Sequence, residues 1–168
     1  MTIHGMILAI DPGNTHSGYA FIETGTCRPV SVGKVPNDEV LDLIRFTSYD
    51  RLSIEMIASY GMAVGKEVFD TCVWIGRFIQ RHDDRVAEWA DCQLVYRRDV
   101  KLHHCHTAKA KDANITQALI DRFAYGQPNH GKGTKAEPGW FYGFKADIWA
   151  AYALAVHTSD TLTERPDK

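Results

Sequence analysis

Much is missing from this 168-residue chain, and each absence narrows its function. Cysteine is scarce and scattered, at Cys27, Cys72, Cys92 and Cys105, with no CxxC pair. That pattern suits a reduced, cytosolic protein rather than a disulfide-framed secreted one. No apolar run is long enough to span a bilayer, and the first residues lack a basic-then-apolar signal pattern, so no membrane association is expected. Internal repeats and a domain-linking segment are missing too. The His103–His106 run, HHCH, invites a zinc reading, but no paired cysteines complete a four-ligand set. Read as a strand, the run would also send neighbouring side chains to opposite faces. Gly13 and Gly18 have the spacing of a phosphate loop, yet Tyr19-Ala20 stands where Lys-Ser/Thr would grip a nucleotide. Actin-like ATPases and sugar kinases share a strand-Asp-turn-Gly pattern, but they close two such lobes around ATP, and this chain has room for one.

Net charge is only −2, which argues against a general nucleic-acid coat. Its distribution says more. From Arg97 to Asp147, nine Lys and Arg stand against five Asp and Glu, while the rest of the chain carries ten against sixteen. His103, His104, His106 and His130 fall in the same basic stretch. A basic face on an acidic body suits a polyanionic partner.

The stretch Met6–Glu23, MILAIDPGNTHSGYAFIE, organises the rest. An apolar run ends in Asp11, a Pro-Gly-Asn turn follows, and Gly18–Ile22 completes a hairpin. A third strand is expected over Arg28–Val35, then a short helix capped by Asn37. Arg51–Ile57 reads as a strand bearing Glu55. Met62–Arg81 is the clearest helix, with Val64, Val68, Cys72, Ile75 and Ile79 in its stripe. Asp83–Asp91 is a polar connection or short helix. Strand pieces are expected at Gln93–Tyr96 and Val100–His104, and a helix at Asp112–Phe123. Gly126–Gly143, rich in Gly and Pro and ending in Trp140-Phe141-Tyr142, reads as a mobile loop. A last helix covers Ala146–His157, and Thr158–Lys168 reads as a disordered tail. The fold class is therefore α/β: a mixed central sheet with an antiparallel hairpin in front, flanked by helices, in one domain over 1–157.

Three acids sit where a carboxylate is expensive: Asp11 ending the first strand, Glu55 in the fourth, and Asp147 opening the last helix. If the first and fourth strands are neighbours, Asp11 and Glu55 meet, and a helix crossing that edge delivers Asp147. Carboxylates so crowded need cations. Hard oxygen donors suit Mg²⁺ or Mn²⁺, and two such ions roughly 4 Å apart can activate water and hold the leaving oxygen of a phosphodiester.

The order and spacing of ILAIDPGNTHSGYAFIE, SIEMI with the long helix behind it, DVKLHHC…KAKDANITQALIDRF and KADIWAAYALAV resemble the RuvC-type Holliday junction resolvases, in a short form like those of phages. These belong to the ribonuclease H-like superfamily, and the likeness covers Met6 to His157. It implies Asp11, Glu55 and Asp147 as metal ligands for two Mg²⁺ ions, with Mn²⁺ as a substitute. It implies Lys101 and Lys111 near the scissile phosphate or the DNA backbone, with Lys109 beside them, and Tyr60 in a loop that approaches the junction centre. The implied activity is hydrolysis of four-way or other branched DNA by a homodimer in a bacterial or phage-infected cytosol, leaving 5′-phosphate and 3′-hydroxyl ends. Phe69, Val73 and Trp74 on the long helix are the expected dimer contact. One position departs from the family pattern: Ala150 stands where a second acid usually lies one turn after the first. Asp112 is a candidate substitute, although its place suits a helix cap. The alternative is a branched-DNA binding protein of the same fold with weak or no cleavage.

Overall fold

Five strands form one sheet in the order β3-β2-β1-β4-β5 in this computed structural model, which describes residues 5–85 and 90–164. Strands β1 (Met6–Asp11), β2 (His16–Glu23) and β3 (Pro29–Pro36) make an antiparallel meander. Strands β4 (Arg51–Met56) and β5 (Asp91–Tyr96) extend it in parallel from β1. This is the expected mixed sheet. Helices α1 (Asn37–Phe46) and α2 (Lys66–Asp83) cover one face, and α3 (Arg97–Cys105), α4 (Asp112–Phe123) and α5 (Ala146–Thr163) cover the other. Two cores result. Leu8, Ile10, Leu52 and Ile54 point to the α1–α2 layer, while Ile7, Ala9, Ala20 and Ile22 point to α5. Alternation along β1 thus serves both layers, as a central strand requires.

Helix α5 is apolar around much of its circumference: every residue from Ala151 to Val156 is fully buried. Such a helix belongs in an interior, and its alanines allow close approach to the sheet. It runs six residues past the expected end at His157. Polarity at Thr158 and Ser159 is absorbed inside: Thr158 Oγ1 donates to the Leu154 carbonyl at 2.9 Å, and Ser159 Oγ accepts from the Gly25 N–H at 2.8 Å. The expected tail is therefore helical to Thr163, and residues 165–168 lie outside the described ones.

Other boundaries also move. Val100–His104 is part of α3, not a strand; β5 stops at Tyr96 and the helix starts at once, burying Val100 at helical spacing. Helix α2 starts at Lys66, four residues late, because Tyr60 and Gly61 take positive φ (47° and 81°) and hold a turn before it. Its buried stripe is Thr71, Ile75, Phe78 and His82, so Phe69 and Val73 are left exposed. Of the Asp83–Asp91 connection, residues 86–89 lie outside the described ones, while Asp83 ends α2 and Asp91 opens β5. The Gly126–Gly143 segment is pinned rather than loose. Phe141 is fully buried, Trp140 Nε1 donates to Tyr152 Oη at 2.9 Å, and Trp140 stacks on Phe123. All four cysteines are free. Among the described residues no helix is long and apolar enough to cross a membrane.

Candidate active site

Parallel pairing of β1 with β4 sets Ile7 against Arg51 and Ile10 against Ile54. One residue further in that register, Asp11 and Glu55 stand side by side at the C-terminal ends of the two central strands. Both continue the face of Ala9 and Ser53, which points toward α5. On the other side of β1, Asp11 pairs with Gly18. A Cβ built on Gly18 would lie 2.6 Å from the Asp147 carbonyl oxygen, so the missing side chain lets the first turn of α5 rest directly on β2. That contact brings the third acid to the first two.

The turn behind Asp11 is tied down by buried polar groups. Ser17 Oγ donates to Asn37 Oδ1 at 2.6 Å and accepts from the Gly13 N–H at 3.2 Å, and Asn37 Nδ2 donates to the Gly13 carbonyl at 2.9 Å. Asn37 therefore does not cap α1, whose side chains offer no capping bond. It braces the site instead, satisfying backbone groups that would otherwise be buried unpaired.

Asp11, Glu55, Asp112 and Asp147 line one pocket of about 350 Å³. Burial, then the charges of Glu55 and Asp147, push Asp11 up to about 7. Burial also raises Glu55, with Arg97 pulling the other way. Arg97 reaches Glu55 at 3.4 Å and Asp112 at 2.5 Å. Lys34, on the edge strand β3, is ion-paired to Asp147. Asp11 alone of the four acids makes no hydrogen bond or ion pair among the described residues. Its anion is thus the least compensated charge in the pocket, and a hard divalent cation is the partner its chemistry fits. With Glu55 and Asp147 turned to protein cations, no three His, Cys, Asp or Glu side chains among the described residues close around one point.

The expected DNA-contacting residues fall around this pocket unevenly. Lys101 lies one helical turn beyond Arg97 on α3 and adds positive potential at Glu55. Lys111 is the exposed cap residue of α4, directly before Asp112, and Lys109 is exposed in the preceding turn. Asp112 is therefore the first residue of the helix and not its cap. Tyr60 is 67% exposed in the turn after β4. Ala150 lines the pocket one turn beyond Asp147. Trp140 and Phe141 anchor their segment, as described, and Tyr142 stays partly exposed. The histidines do not gather around a metal: His103 Nε2 meets Asp160 at 2.7 Å, and His104 Nε2 meets the Ala153 carbonyl at 2.8 Å.

Sequence reasoning missed Arg97, Lys34 and Gly18. Arg97 carried one available signal, its place four residues before Lys101. Gly18 carried another, as a glycine inside an otherwise well-formed strand, which often marks close approach of another backbone. Nothing local marks Lys34.

The chain is thus an α/β domain with a ribonuclease H-like fold and a carboxylate-lined pocket at the ends of its central strands. Neither a protein-family model nor a curated protein sequence matches the chain. Solved structures do. Thermus thermophilus RuvC superposes with a TM-score of 0.68 at 12% identity, over 94% of this chain and 96% of that one. T. thermophilus RuvC in complex with Holliday junction substrate gives 0.64 at 13% identity, over 95% and 96%. The chain has the fold of the RuvC-type Holliday junction resolvases.

Proposed function

We propose that this protein is a divalent-metal-dependent endonuclease that hydrolyses phosphodiesters in branched DNA, with four-way junctions as the main substrate class. The observation that carries this reading is Asp11: a half-buried carboxylate, in register beside Glu55 and under Asp147, with no hydrogen-bond or ion-pair partner among the described residues. Asp11, Glu55 and Asp147 would hold the metal. Bound there, Mg²⁺ or Mn²⁺ supplies the Lewis acidity and the activated water that phosphodiester hydrolysis needs, leaving 5′-phosphate and 3′-hydroxyl ends.

The chain's own residues do the rest. Arg97 and Lys101 present positive charge to one side of the pocket, and Lys109 and Lys111 extend that charge along the start of α4. Such cations neutralise backbone phosphates, and Lys111, directly before the pocket-lining Asp112, can offset charge that builds on the scissile phosphate. Tyr60 offers an exposed ring for stacking on an unpaired base at the crossover. A four-way junction has approximate two-fold symmetry, so a C2 homodimer matches it, with two sites on opposed strands. The exposed Phe69 and Val73 of α2 are the contact in that arrangement. RuvC carrying a Holliday junction shares the fold, which supports the substrate class.

A second reading has its own observation. Ala150 leaves the pocket one acid short of the family pattern, and protein cations already engage Glu55 and Asp147. A binding protein without cleavage would look like this. A labelled four-way junction incubated with Mg²⁺ or Mn²⁺ separates the two. Paired nicks that disappear in Asp11→Asn are the expected result. Tight binding with no nicks in either metal would replace the nuclease by the binding protein.

A further inference from the structure

We propose that Arg97 is a resident cation standing in for a second divalent ion, so that each chain binds a single ion, at Asp11. The inference rests on the nuclease reading above and changes the expected ion count from two to one.

The charges in the pocket lead to it. Four carboxylates face the space: Asp11, Glu55, Asp112 and Asp147. Arg97 bridges two of them, Glu55 from the sheet and Asp112 from the first turn of α4. It is fixed at the first position of α3, directly after β5, with its side chain only 23% exposed. Lys34 neutralises Asp147. Four negative charges and two paired positive ones leave −2, which one divalent ion cancels. A second ion would turn a neutral pocket strongly positive and would have to enter between Glu55 and Asp112, where the guanidinium already is. Lys101 adds positive potential at Glu55, which raises that barrier further.

Arginine suits such a role. Its charge persists at every pH the protein meets, and its fork of donors holds two carboxylates at once. Ala150 fits the same pattern: the pocket holds no acid one turn past Asp147, and the half-buried Arg97 lines the same space. One negative charge fewer and one positive charge more both act against a second metal ion.

The test is a count of Mn²⁺ by electron paramagnetic resonance on the metal-free full chain, with circular dichroism to confirm folding of each variant. Wild type binds one equivalent and Asp11→Asn binds none. Arg97→Gln, which keeps the shape and removes the charge, gains a second equivalent, and Arg97→Lys stays at one. Two equivalents of similar affinity in wild type, or one in a folded Arg97→Gln, overturn the role of Arg97 and leave the nuclease reading standing. No binding by wild type, with no junction nicking, overturns both. If Arg97→Gln does not fold, the wild-type count alone decides between one ion and two.

Discussion

Replacing Asp11 by asparagine should stabilise the metal-free protein, and the gain should depend on pH in a set direction. The carboxyl is held at about 7 in the folded chain, against 3.8 for an ordinary aspartate. A raised value means that the folded state keeps the proton longer than the unfolded state. Stability from this group is therefore complete below about pH 4, declines as pH rises toward 7, and stays reduced above that. At about 1.4 kcal/mol per pH unit, the gap corresponds to a ceiling of about 4 kcal/mol, and water entering the open pocket lowers the expected effect to about 2–4 kcal/mol. For a chain of this length each kcal/mol moves Tm by about 2–4 °C, so Asp11→Asn should melt roughly 5–15 °C higher at pH 8 in the presence of a chelator. At pH 4.5 most of the difference should vanish. Saturating Mg²⁺ should raise the wild-type Tm and leave the variant unmoved, because a ligand stabilises only the state that binds it. Thermal melts followed by circular dichroism at the two pH values, with and without Mg²⁺, supply every quantity. A variant that melts at or below wild type at pH 8, or an advantage of equal size at pH 4.5, would refute the claim that Asp11 is a strained anion awaiting a cation.

Four further outcomes are expected. Gly18→Ala drives a methyl group to within 2.6 Å of the Asp147 carbonyl, so it should cost about 1–3 kcal/mol by urea titration and lower junction cleavage by up to about 10²-fold through a shifted α5. Gly76→Ala, on α2 with nothing within 4 Å of the new Cβ, should instead stabilise by about 0.5–1 kcal/mol. Asn37→Ala removes the brace on the turn behind Asp11 and should cost about 1–3 kcal/mol in the same titration, with Mn²⁺ affinity reduced as the turn loosens. Burial lowers His104 to about 4 from 6.5; a lowered histidine resists protonation in the folded state, so stability falls as pH drops from 6.5 to 4. His104→Gln, which can still donate to the Ala153 carbonyl, should flatten that decline by about 1–2 kcal/mol when urea midpoints at pH 7 and pH 5 are compared with wild type.

The parts of this protein that were legible in its sequence are those where a local pattern contradicts itself. An apolar strand that ends in a carboxylate, as at Asp11, and a short apolar strand that contains one, as at Glu55, point to a site because burial makes such residues costly. The front hairpin followed from its turn chemistry and α4 from its own spacing, while the pairing of the first strand with the fourth entered only as a condition. Misread elements had no such contradiction. Val100–His104 is too short to separate periods of 2 and 3.6, and only the end of the sheet at Tyr96 decides for helix. The α2 stripe turned because Thr71 and His82 can be buried with partners: Thr71 Oγ1 donates to the Glu67 carbonyl, and His82 Nδ1 meets Tyr49 Oη at 2.9 Å. Gly126–Gly143 has loop composition, yet its aromatics find sites on α4 and α5 that no local reading reveals. Arg97 and Lys34 are exposed-looking cations in sequence, and their importance comes only from the acids that folding carries to them.

The two central carboxylates are neighbours through a hydrogen-bonded ladder and not through a pair of loops, which makes their separation a discrete quantity. Strands re-pair in whole-residue steps, and a single step would rotate Asp11 into the apolar layer occupied by Leu8 and Ile10. Neutral drift can therefore rewrite most of the surface without loosening this geometry by small degrees. It persists whole, or it is lost at one stroke along with the sheet that carries it.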